Sequence, residues 1–393
     1  MRLLWRGRKA TGYLHHWKER LGYVVATQKN PVWFHAVSLG ETRAAMPLIE
    51  ALLRQNIPIF ITNMTPTGRD AVEKTWGARV EHSYLPYDTP GCVKRFLNRV
   101  KPRQAIILET EIWPNVFHET TQCGIPLYIV NARLSSRSFH QYTKIRFLMA
   151  PLLKAVKVAT QSALDTKRFL HLGVKQVITC GNIKYDMVLS VDISTKMLPL
   201  QQRLGMRPIW IAASTHRGEE DKILTAHRII QTKVPDALLI LVPRHPERFL
   251  EVERLCQEHS MTVVRQSQFT PVLPTIEVFL GDTLGQLLLL LSVAQAAFVG
   301  GSLEPIGGHN ALEAALLKLP IAMGPYTFKC MDTVNTLQKA GGLVTVLTAT
   351  ELAEKMIVWL SEPETAKIIG KNAYSVIEKN KGVVGRLLNF LGY

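Results

Sequence analysis

Cysteine is scarce in this sequence, and its placement fits neither a metal site nor a disulfide framework. Five cysteines are spread over 393 residues, without a C-x-x-C pair, and no H-E-x-x-H or comparable metal-ligating motif is found. This usage argues against structural zinc and favours reduced thiols in the cytoplasm. With 47% hydrophobic and 20% charged residues, the composition is instead that of a globular protein with a full apolar core.

Long apolar runs are also missing. The longest, LGQLLLLLSVAQAAFVGG, is interrupted by Gln286, Ser292 and Gln295 and divides into a helix and a strand. The region after Met1 lacks the apolar core of a signal peptide. The sequence therefore predicts neither a transmembrane helix nor a signal peptide.

Two common nucleotide-binding motifs are absent. The chain contains no G-x-G-x-x-G fingerprint with a ribose-binding acid, and no G-x-x-x-x-G-K-[ST] loop. No acid-x-acid motif follows a strand in the second half of the chain. If a nucleotide binds, these absences favour a nucleotide monophosphate held without a metal over a dinucleotide.

Positive charge is abundant and uneven. The net charge is +16, of which residues 1–190 carry +15 and residues 191–393 carry +1. A basic half indicates an anionic partner, which charge alone leaves open between nucleic acid, anionic lipid and a phosphorylated substrate. Residues 1–20 hold six basic residues and two tryptophans. That segment fits a bilayer interface or a solvated basic helix.

The order of the predicted elements indicates an α/β fold. Apolar strands without alternation are separated by amphipathic helices, as in a parallel sheet covered on both faces. We predict two doubly wound, Rossmann-like domains facing across a cleft, with ligands at the carboxyl ends of the strands. The predicted segments are a basic membrane-proximal stretch 1–20, a first domain 21–186, a linker 187–207, a second domain 208–370 and a C-terminal helix 371–393 that packs back on the first domain.

The stretch FVGGSLEPIGGHNALEAA, residues 298–315, predicts a strand, a glycine-rich loop and a helix beginning near Asn310. Free backbone N–H groups at such a loop and helix N-terminus bind anions, and glycine permits close approach of a ligand. We interpret the loop, with Gly301, Ser302 and Glu313, as a phosphate-sugar pocket. An ordinary glycine turn is the alternative.

Three acidic residues follow predicted strands in the first half. Glu41, in HAVSLGE, lies between a strand and a helix, where a carboxylate serves either as a general base or as a helix cap. Glu109 and Glu111, in ILETEIWPN, are expected to face one side of an extended segment. They indicate either function or an ion pair with a base such as Arg133.

Further polar loops follow predicted strands elsewhere in the chain. Lys184, in CGNIKYD, either neutralises a leaving phosphate or an acidic sugar or is a surface charge. Arg244, in LVPRHPERF, is positioned by two prolines as a phosphate clamp. Ser214 and Thr215 end another strand, and GDTLGQL at 281–287 repeats the pattern. Together these loops predict a metal-independent group transferase with a nucleotide-activated donor.

The motifs HAVSLGE, ETEIWPN, NARLS, GNIKYD, AASTH, PRHPER, GDTLGQL and GGHNALE occur in this order. Through them, nearly the whole chain resembles the Kdo (3-deoxy-D-manno-octulosonic acid) transferases, glycosyltransferase family 30. The resemblance implies an inverting GT-B enzyme of lipopolysaccharide assembly with CMP-Kdo as donor, lipid IVA as acceptor and no cofactor or metal. It also implies action at the cytoplasmic face of the bacterial inner membrane, with an anchor absent from this chain or peripheral binding, and no nucleic-acid partner.

The resemblance also implies residue roles. Glu41 would accept the proton of the acceptor hydroxyl, and Glu111 and Lys184 would stabilise the transition state. The CMP-binding segments would be Pro243-Arg244, Leu284-Gly285-Gln286 and Asn310-Ala311-Leu312-Glu313, with Glu313 accepting bonds from ribose hydroxyls. Family members more often read TMGEL where this chain has TLGQL, so a carboxylate contact is not expected at Gln286. A GT-B enzyme using another nucleotide sugar and a non-catalytic binder of anionic lipid or nucleic acid are the alternatives.

Overall fold

The computed structural model describes residues 15–27, 29–187, 191–268 and 272–393, which form two compact units. Unit 1 comprises the chain up to Met187 together with Gly382–Tyr393, and unit 2 comprises Val188–Lys381. Most of the predicted membrane-proximal stretch, residues 1–14, lies outside the described residues. The end of that stretch forms helix α1 (Trp17–Arg20), whose Arg20 is buried with its guanidinium 4.1 Å from the centre of the Tyr84 ring.

Unit 1 contains a seven-stranded parallel sheet in the order β3-β2-β1-β4-β5-β6-β7. Its strands are β1 (Val32–His35), β2 (Ile59–Asn63), β3 (Glu81–Tyr84), β4 (Gln104–Leu108), β5 (Leu127–Ala132), β6 (Lys157–Thr160) and β7 (Gln176–Thr179). The order reverses between β1 and β4. Open parallel sheets bind ligands at the carboxyl ends of the strands that flank such a reversal, and we call this position the switch point of a unit.

Helices cover both faces of the unit 1 sheet. They are α2 (Leu39–Arg54), α3 (Pro66–Trp76), α4 (Pro90–Val100), α5 (Pro114–Gln122), α6 (Ser136–Lys144), α7 (Arg146–Leu153), α8 (Ala163–His171) and the C-terminal Val383–Leu391. Prolines in the first turn and hydroxyl N-caps such as Ser38 start several of them. Val32 and Phe34 pack in one apolar cluster and Trp33 in the other, which explains why the strand is apolar without alternation.

Unit 2 repeats this architecture with the order β10-β11-β9-β8-β12-β13-β14, and its switch point lies between β8 and β12. Its strands are β8 (Ile209–Thr215), β9 (Leu238–Pro243), β10 (Val263–Arg265), β11 (Val278–Leu280), β12 (Ala296–Val299), β13 (Ile321–Met323) and β14 (Leu343–Thr345). Its helices are α9 (Val191–Leu204), α10 (Glu219–Gln231), α11 (Phe249–Glu258), α12 (Leu287–Ser292), α13 (Leu312–Leu316), α14 (Met331–Lys339), α15 (Ala349–Ser361) and α16 (Pro363–Asn380). The prediction of two doubly wound α/β domains is confirmed.

The segment predicted as a linker, 187–207, differs in the structure. The boundary between the units falls at its start, and helix α9 occupies most of it as part of unit 2. Leu200 and Leu204 are buried four residues apart on one face of this helix. So narrow an apolar face gives a weak periodic signal in the sequence, which is why the helix was missed.

The C-terminal segment 371–393 belongs to both units. Residues 371–381 complete α16 in unit 2, whereas helix α17 (Val383–Leu391) belongs to unit 1. Asp186 holds the start of α17, because its carboxylate accepts hydrogen bonds from the Gly382 N–H (2.8 Å) and the Val384 N–H (2.6 Å). None of the described helices combines the length and apolar character needed to cross a bilayer.

Candidate functional site

Glu41 lies in the first turn of α2, directly after β1 at the switch point of unit 1. Its carboxylate accepts a 2.6 Å hydrogen bond from the Val37 N–H at Oε2 and a 3.2 Å bond from the Ser38 hydroxyl at Oε1. Ser38 in turn is the N-cap of α2 and accepts from the Glu41 N–H. This arrangement is close to a capping box. Glu41 is therefore a helix-capping residue, which is one of the two roles that its sequence position allowed. The cap fixes its carboxylate in place.

The surroundings of Glu41 also change its protonation. Burial, together with the nearby charges of Glu109 and Glu111, raises the pKa of the Glu41 carboxyl to about 7, against the opposing hydrogen bonds from Val37 and Ser38. A general base works best when its pKa lies near the working pH. Capping and base chemistry are compatible at this position.

The segment after β4 is not extended as predicted. Glu109 adopts a left-handed backbone conformation with φ of 58°. The prediction that Glu109 and Glu111 face the same side of an extended segment was therefore wrong. Lys184 Nζ lies 3.9 Å from Glu109 Oε1, with about a third of each side chain exposed. An exposed pair at this distance contributes little stability. Burial and the Glu109 charge raise the pKa of Glu111, so three carboxylates and one lysine share this end of the sheet.

A buried polar network that was not predicted from the sequence lies at the ends of β1 and β2, beside the helix that carries Glu41. Asn63 Nδ2 donates to the Ala36 carbonyl (2.6 Å) and to Thr42 Oγ1 (3.0 Å), fixing the loop between β1 and α2. His35 Nδ1 lies 3.1 Å from the Thr62 carbonyl oxygen, and burial lowers the pKa of His35 to about 4. Polar residues at the ends of otherwise apolar strands were the sequence signal for this network.

The glycine-rich loop after β12 binds an anionic side chain of the protein itself and not an external anion. The Glu219 carboxylate, fully buried at the start of α10, accepts four backbone hydrogen bonds of 2.7–2.9 Å. Their donors are the N–H groups of His216, Gly301, Ser302 and Leu303. The prediction that these loop N–H groups are free for a ligand was therefore wrong.

The predicted ligand contacts of Gly301 and Ser302 are contradicted. Ser302 has no exposed surface, and its hydroxyl donates to the Val299 carbonyl (2.6 Å) and accepts from the Gly324 N–H (2.8 Å). The Gly301 carbonyl accepts from the Gly308 N–H (2.6 Å). A Cβ at Gly301 would come within 2.9 Å of the His309 ring, so this glycine provides space for a histidine.

The helix predicted to begin near Asn310 is shorter than expected and comprises only Leu312–Leu316 (α13). Asn310 Oδ1 accepts a 3.2 Å bond from the Leu312 N–H, which forms a local turn before the helix. Ala311 and Leu312 are buried, and Glu313 lies in the first turn, half-buried. In the segment Asn310–Glu313, the partly exposed side chains are those of Asn310 and Glu313.

Three histidines meet at the switch point of unit 2. His216 follows β8, His309 follows the glycine-rich loop, and their Nε2 atoms are 2.7 Å apart. The His245 ring lies 5.2 Å from the His216 ring, centre to centre. Burial, together with neighbouring positive charges such as that of Arg244, lowers the pKa of His216 and of His309 to about 4. The histidine cluster was absent from the sequence prediction, and the positive charges of Arg244 and Lys329 beside it favour an anionic ligand.

The remaining predicted donor-site residues lie on surrounding loops. Ser214 has φ of 58° at a register irregularity between β8 and β9. Pro243 ends β9, and the exposed Arg244 is anchored through its N–H to the Thr215 carbonyl (3.0 Å). Leu284 is 71% exposed, Gly285 has φ of 82° and Gln286 is the N-cap of α12. This loop is accessible to a ligand.

A second ionic cluster beside these loops was also missed. Arg248 donates to both carboxylate oxygens of the buried Glu220 (2.7 and 3.2 Å) and to Glu251 (3.0 Å). Thr215 Oγ1 donates to Glu220 as well (2.9 Å). Within the described ranges, no group of three or more His, Cys, Asp or Glu side chains could hold a metal ion.

Sequence comparison identifies close relatives over the full length of this chain. The family profile for 3-deoxy-D-manno-octulosonic-acid transferase (kdotransferase) matches residues 15–187. The 3-deoxy-D-manno-octulosonic acid transferase of Haemophilus influenzae is 38% identical, with 98% of this chain and 92% of that protein covered. The Bordetella pertussis protein of the same name is 33% identical, with 92% of this chain and 86% of that protein covered.

Solved structures agree on the fold. A glycosyltransferase from Rickettsia africae aligns over 93% of this chain and 98% of its own, with a TM-score of 0.62 and 14% identity. The UDP-GlcNAc 2-epimerase of Neisseria meningitidis aligns over 91% of this chain and 100% of its own, with a TM-score of 0.63 and 15% identity. At these identities the likeness shows the fold alone, which is the predicted GT-B type. From its sequence relatives, the chain belongs to the Kdo transferase family of glycosyltransferases.

Proposed function

We propose that this protein transfers Kdo from CMP-Kdo to lipid IVA with inversion at the anomeric carbon and without a metal ion. The observation that carries the proposal is the Glu41 carboxyl, held by Val37 and Ser38 at the switch point of unit 1 with a pKa of about 7. Membership of the family supports the transfer of Kdo. We infer the acceptor, the inversion and the residue roles.

In unit 1, Glu41 removes the proton from the attacking hydroxyl of the acceptor sugar. Glu41 Oε2 keeps its short bond from the Val37 N–H, whereas Oε1 has the longer bond from a hydroxyl that can rotate. Oε1 is therefore the oxygen that takes the proton. The acceptor oxygen then forms a bond to the anomeric carbon of Kdo, and the bond from that carbon to the CMP phosphate breaks.

Lys184 and Glu111 act around this step. The Lys184 ammonium lies 3.9 Å from Glu109, a loose contact that leaves it able to interact with the carboxylate of Kdo or with the developing negative charge. Glu111, whose pKa is raised by burial, stabilises the positive character of the anomeric carbon when it is ionised. Preorganised charges of this kind stabilise a transition state at little reorganisation cost.

In unit 2, the donor binds at the accessible loops. Arg244 neutralises the CMP phosphate, and Pro243 and the Leu284–Gln286 loop contact the nucleoside. Asn310 and Glu313 offer polar groups for the ribose. The fully buried Ser302 is not part of this site.

The basic composition of the first half fits the membrane context of such an acceptor. Lipid IVA bears phosphates and lies in an anionic leaflet, which attracts clustered lysines and arginines. We propose that the protein works at the cytoplasmic face of the bacterial inner membrane.

Mass spectrometry of products tests this function directly. Incubation of the protein with lipid IVA and CMP-Kdo, in buffer containing EDTA, is expected to give lipid IVA carrying one or more added Kdo residues. The number of additions is read from the same spectrum. Unmodified lipid IVA after long incubation with a folded protein would reject the proposal, and product with a UDP-sugar alone would assign another donor.

The pH dependence of transfer provides a second test. Because the Glu41 base must be ionised, the rate is expected to rise with pH and reach half of its maximum near pH 7. The Glu109 charge raises the pKa of Glu41, so Glu109→Gln is expected to move the midpoint to lower pH. The measurement is the midpoint of the kcat/KM profile and not the rate itself, since the variant also loses its Lys184 contact. Glu73→Gln, at an exposed acid on α3, is the control and should leave the midpoint unchanged. A Glu109→Gln midpoint that stays or moves upward would contradict the proposed coupling.

A further inference from the structure

His216 and His309 form a direct imidazole pair in unit 2. Their Nε2 atoms are 2.7 Å apart, the ring centres are 5.0 Å apart and the ring planes differ by 7°. Ring centres so much farther apart than the nitrogens place the rings edge to edge and not face to face. Such a contact is an N–H···N hydrogen bond, in which one Nε2 donates and the other accepts.

This geometry limits the charge of the pair. With both rings neutral, the donor ring carries its proton on Nε2 and leaves its Nδ1 unprotonated. One further proton can bind that Nδ1 without disturbing the hydrogen bond, which gives the pair a charge of +1. A second added proton would place two N–H groups against each other across 2.7 Å. The pair therefore holds a charge of either 0 or +1.

The surroundings hold the pair neutral in the absence of a ligand. The groups that face it and can carry positive charge are Arg244, His245, Arg248 and Lys329. The acid Glu219 accepts the His216 backbone N–H and three N–H groups of the glycine-rich loop. Arg248 is already paired with Glu220 and Glu251. An incoming anion would supply the negative charge that the pair lacks, and like any opposite charge it would favour protonation.

We propose that His216 and His309 act as one proton-binding unit, which takes up a single proton from solvent when a phosphate-bearing nucleotide binds to unit 2. The inference rests on the proposed function for the identity of that nucleotide, CMP or its sugar conjugate. In the transfer reaction the phosphate gains one negative charge when its bond to Kdo breaks. A pair that has become cationic would stabilise this charge and assist departure.

Calorimetric titration with CMP tests the inference. Binding is measured at pH 7.5 with EDTA, in buffers of different ionisation enthalpy, and the slope of heat against that enthalpy counts the protons taken up. At this pH the phosphate of CMP is already a dianion, since a phosphate monoester has its second pKa at about 6. The protein is expected to take up between half a proton and one proton. CMP affinity should also fall by up to about tenfold for each pH unit above 7.5.

Variants identify the group that takes up the proton. His309→Asn and His216→Asn are expected to bind CMP with no net proton uptake and a flat pH dependence. His245→Asn, at the neighbouring ring outside the pair, should keep the uptake. Loss of uptake in His245→Asn with uptake retained in the other two would overturn the assignment. CMP binding without proton uptake by the unmodified protein would overturn this inference alone, whereas absence of CMP binding would overturn the proposed donor site as well.

Discussion

Replacing Glu41 by glutamine is expected to lower the rate of Kdo transfer by about 10²–10⁴-fold, the usual contribution of a general base. Glutamine has nearly the same shape and retains an oxygen that can accept from the Val37 N–H, but it cannot take the proton of the acceptor hydroxyl. The affinity for CMP is expected to stay unchanged, because the predicted nucleotide contacts all belong to unit 2. The measurements are kcat from product mass spectra and the Kd of CMP from calorimetry. Full transfer by Glu41→Gln would reject Glu41 as the base.

Protein stability separates lost chemistry from lost folding in this experiment. The pKa of Glu41 is raised from 4.5 to about 7, so the folded protein favours the protonated carboxyl. The stability that this proton contributes is complete below pH 4.5 and is lost as the pH rises through 7. Glu41→Gln should therefore unfold at a higher temperature than the unmodified protein at pH 8, and at a similar temperature at pH 4.5. A variant that is inactive and yet more stable at pH 8 has lost a proton acceptor and not its structure.

A second carboxylate on the same helix provides the matched control. Glu50, near the end of α2, accepts from Arg79 (2.8 and 3.1 Å) and from Trp76 (2.7 Å). Glu50→Gln removes a charge from the same helix with no predicted contact to substrate. Transfer is expected to continue at the normal rate, and a loss as large as that of Glu41→Gln would assign the effect to α2 in general.

The fold could be predicted from the sequence, because a strand that is buried on both faces of a sheet has a continuous apolar sequence. The first three residues of β1 and the strand Leu238–Pro243 are continuous apolar runs, and the segments between the strands have helical periodicity. Helix α9 was missed because only Leu200 and Leu204 of the described side chains in it are buried. A parallel sheet is therefore easier to predict than a helix with so few buried side chains.

Glu41 was predictable for a different reason. The four residues from Ser38 to Glu41 form a local cap, and the sequence spacing S-x-x-E is enough to place the carboxylate after a strand. The rise of its pKa was not predictable, because that rise depends on burial and on Glu109 and Glu111 from the segment after β4.

Unit 2 shows where sequence reasoning failed. Glu219 contacts Gly301, Ser302 and Leu303, which lie 82–84 residues later. His216 meets His309 across 93 residues. Contacts between residues so far apart in the sequence cannot be predicted from local sequence patterns. The glycine-rich loop was recognised as an anion site, and only the structure identifies Glu219 as its anion.

Glu219→Gln is expected to destabilise unit 2 strongly. Each carboxylate oxygen of Glu219 accepts two backbone N–H groups, whereas the amide nitrogen of glutamine is itself a donor. Two buried N–H groups would then face another donor, at a cost of about 1–3 kcal/mol each. For a domain of this size each kcal/mol lowers the unfolding temperature by about 2–4 °C. Thermal and urea unfolding measure this loss. CMP binding should weaken with it, because His216 and the loop before His309 depend on the same carboxylate.

The control for this prediction comes from the same loop. Glu304 pairs with Lys222 at 2.7 Å, and its side chain is 30% exposed, so Glu304→Gln removes a charge that water already screens. The expected cost is below about 1 kcal/mol. If Glu219→Gln were as stable as Glu304→Gln, the loop N–H groups would not need a carboxylate. They would then be able to bind a phosphate, and the ligand-binding role first predicted for the glycine-rich loop would regain its basis. A large difference between the two variants means that the loop is shaped by its internal anion, which leaves the histidine pair and Arg244 to receive the external one.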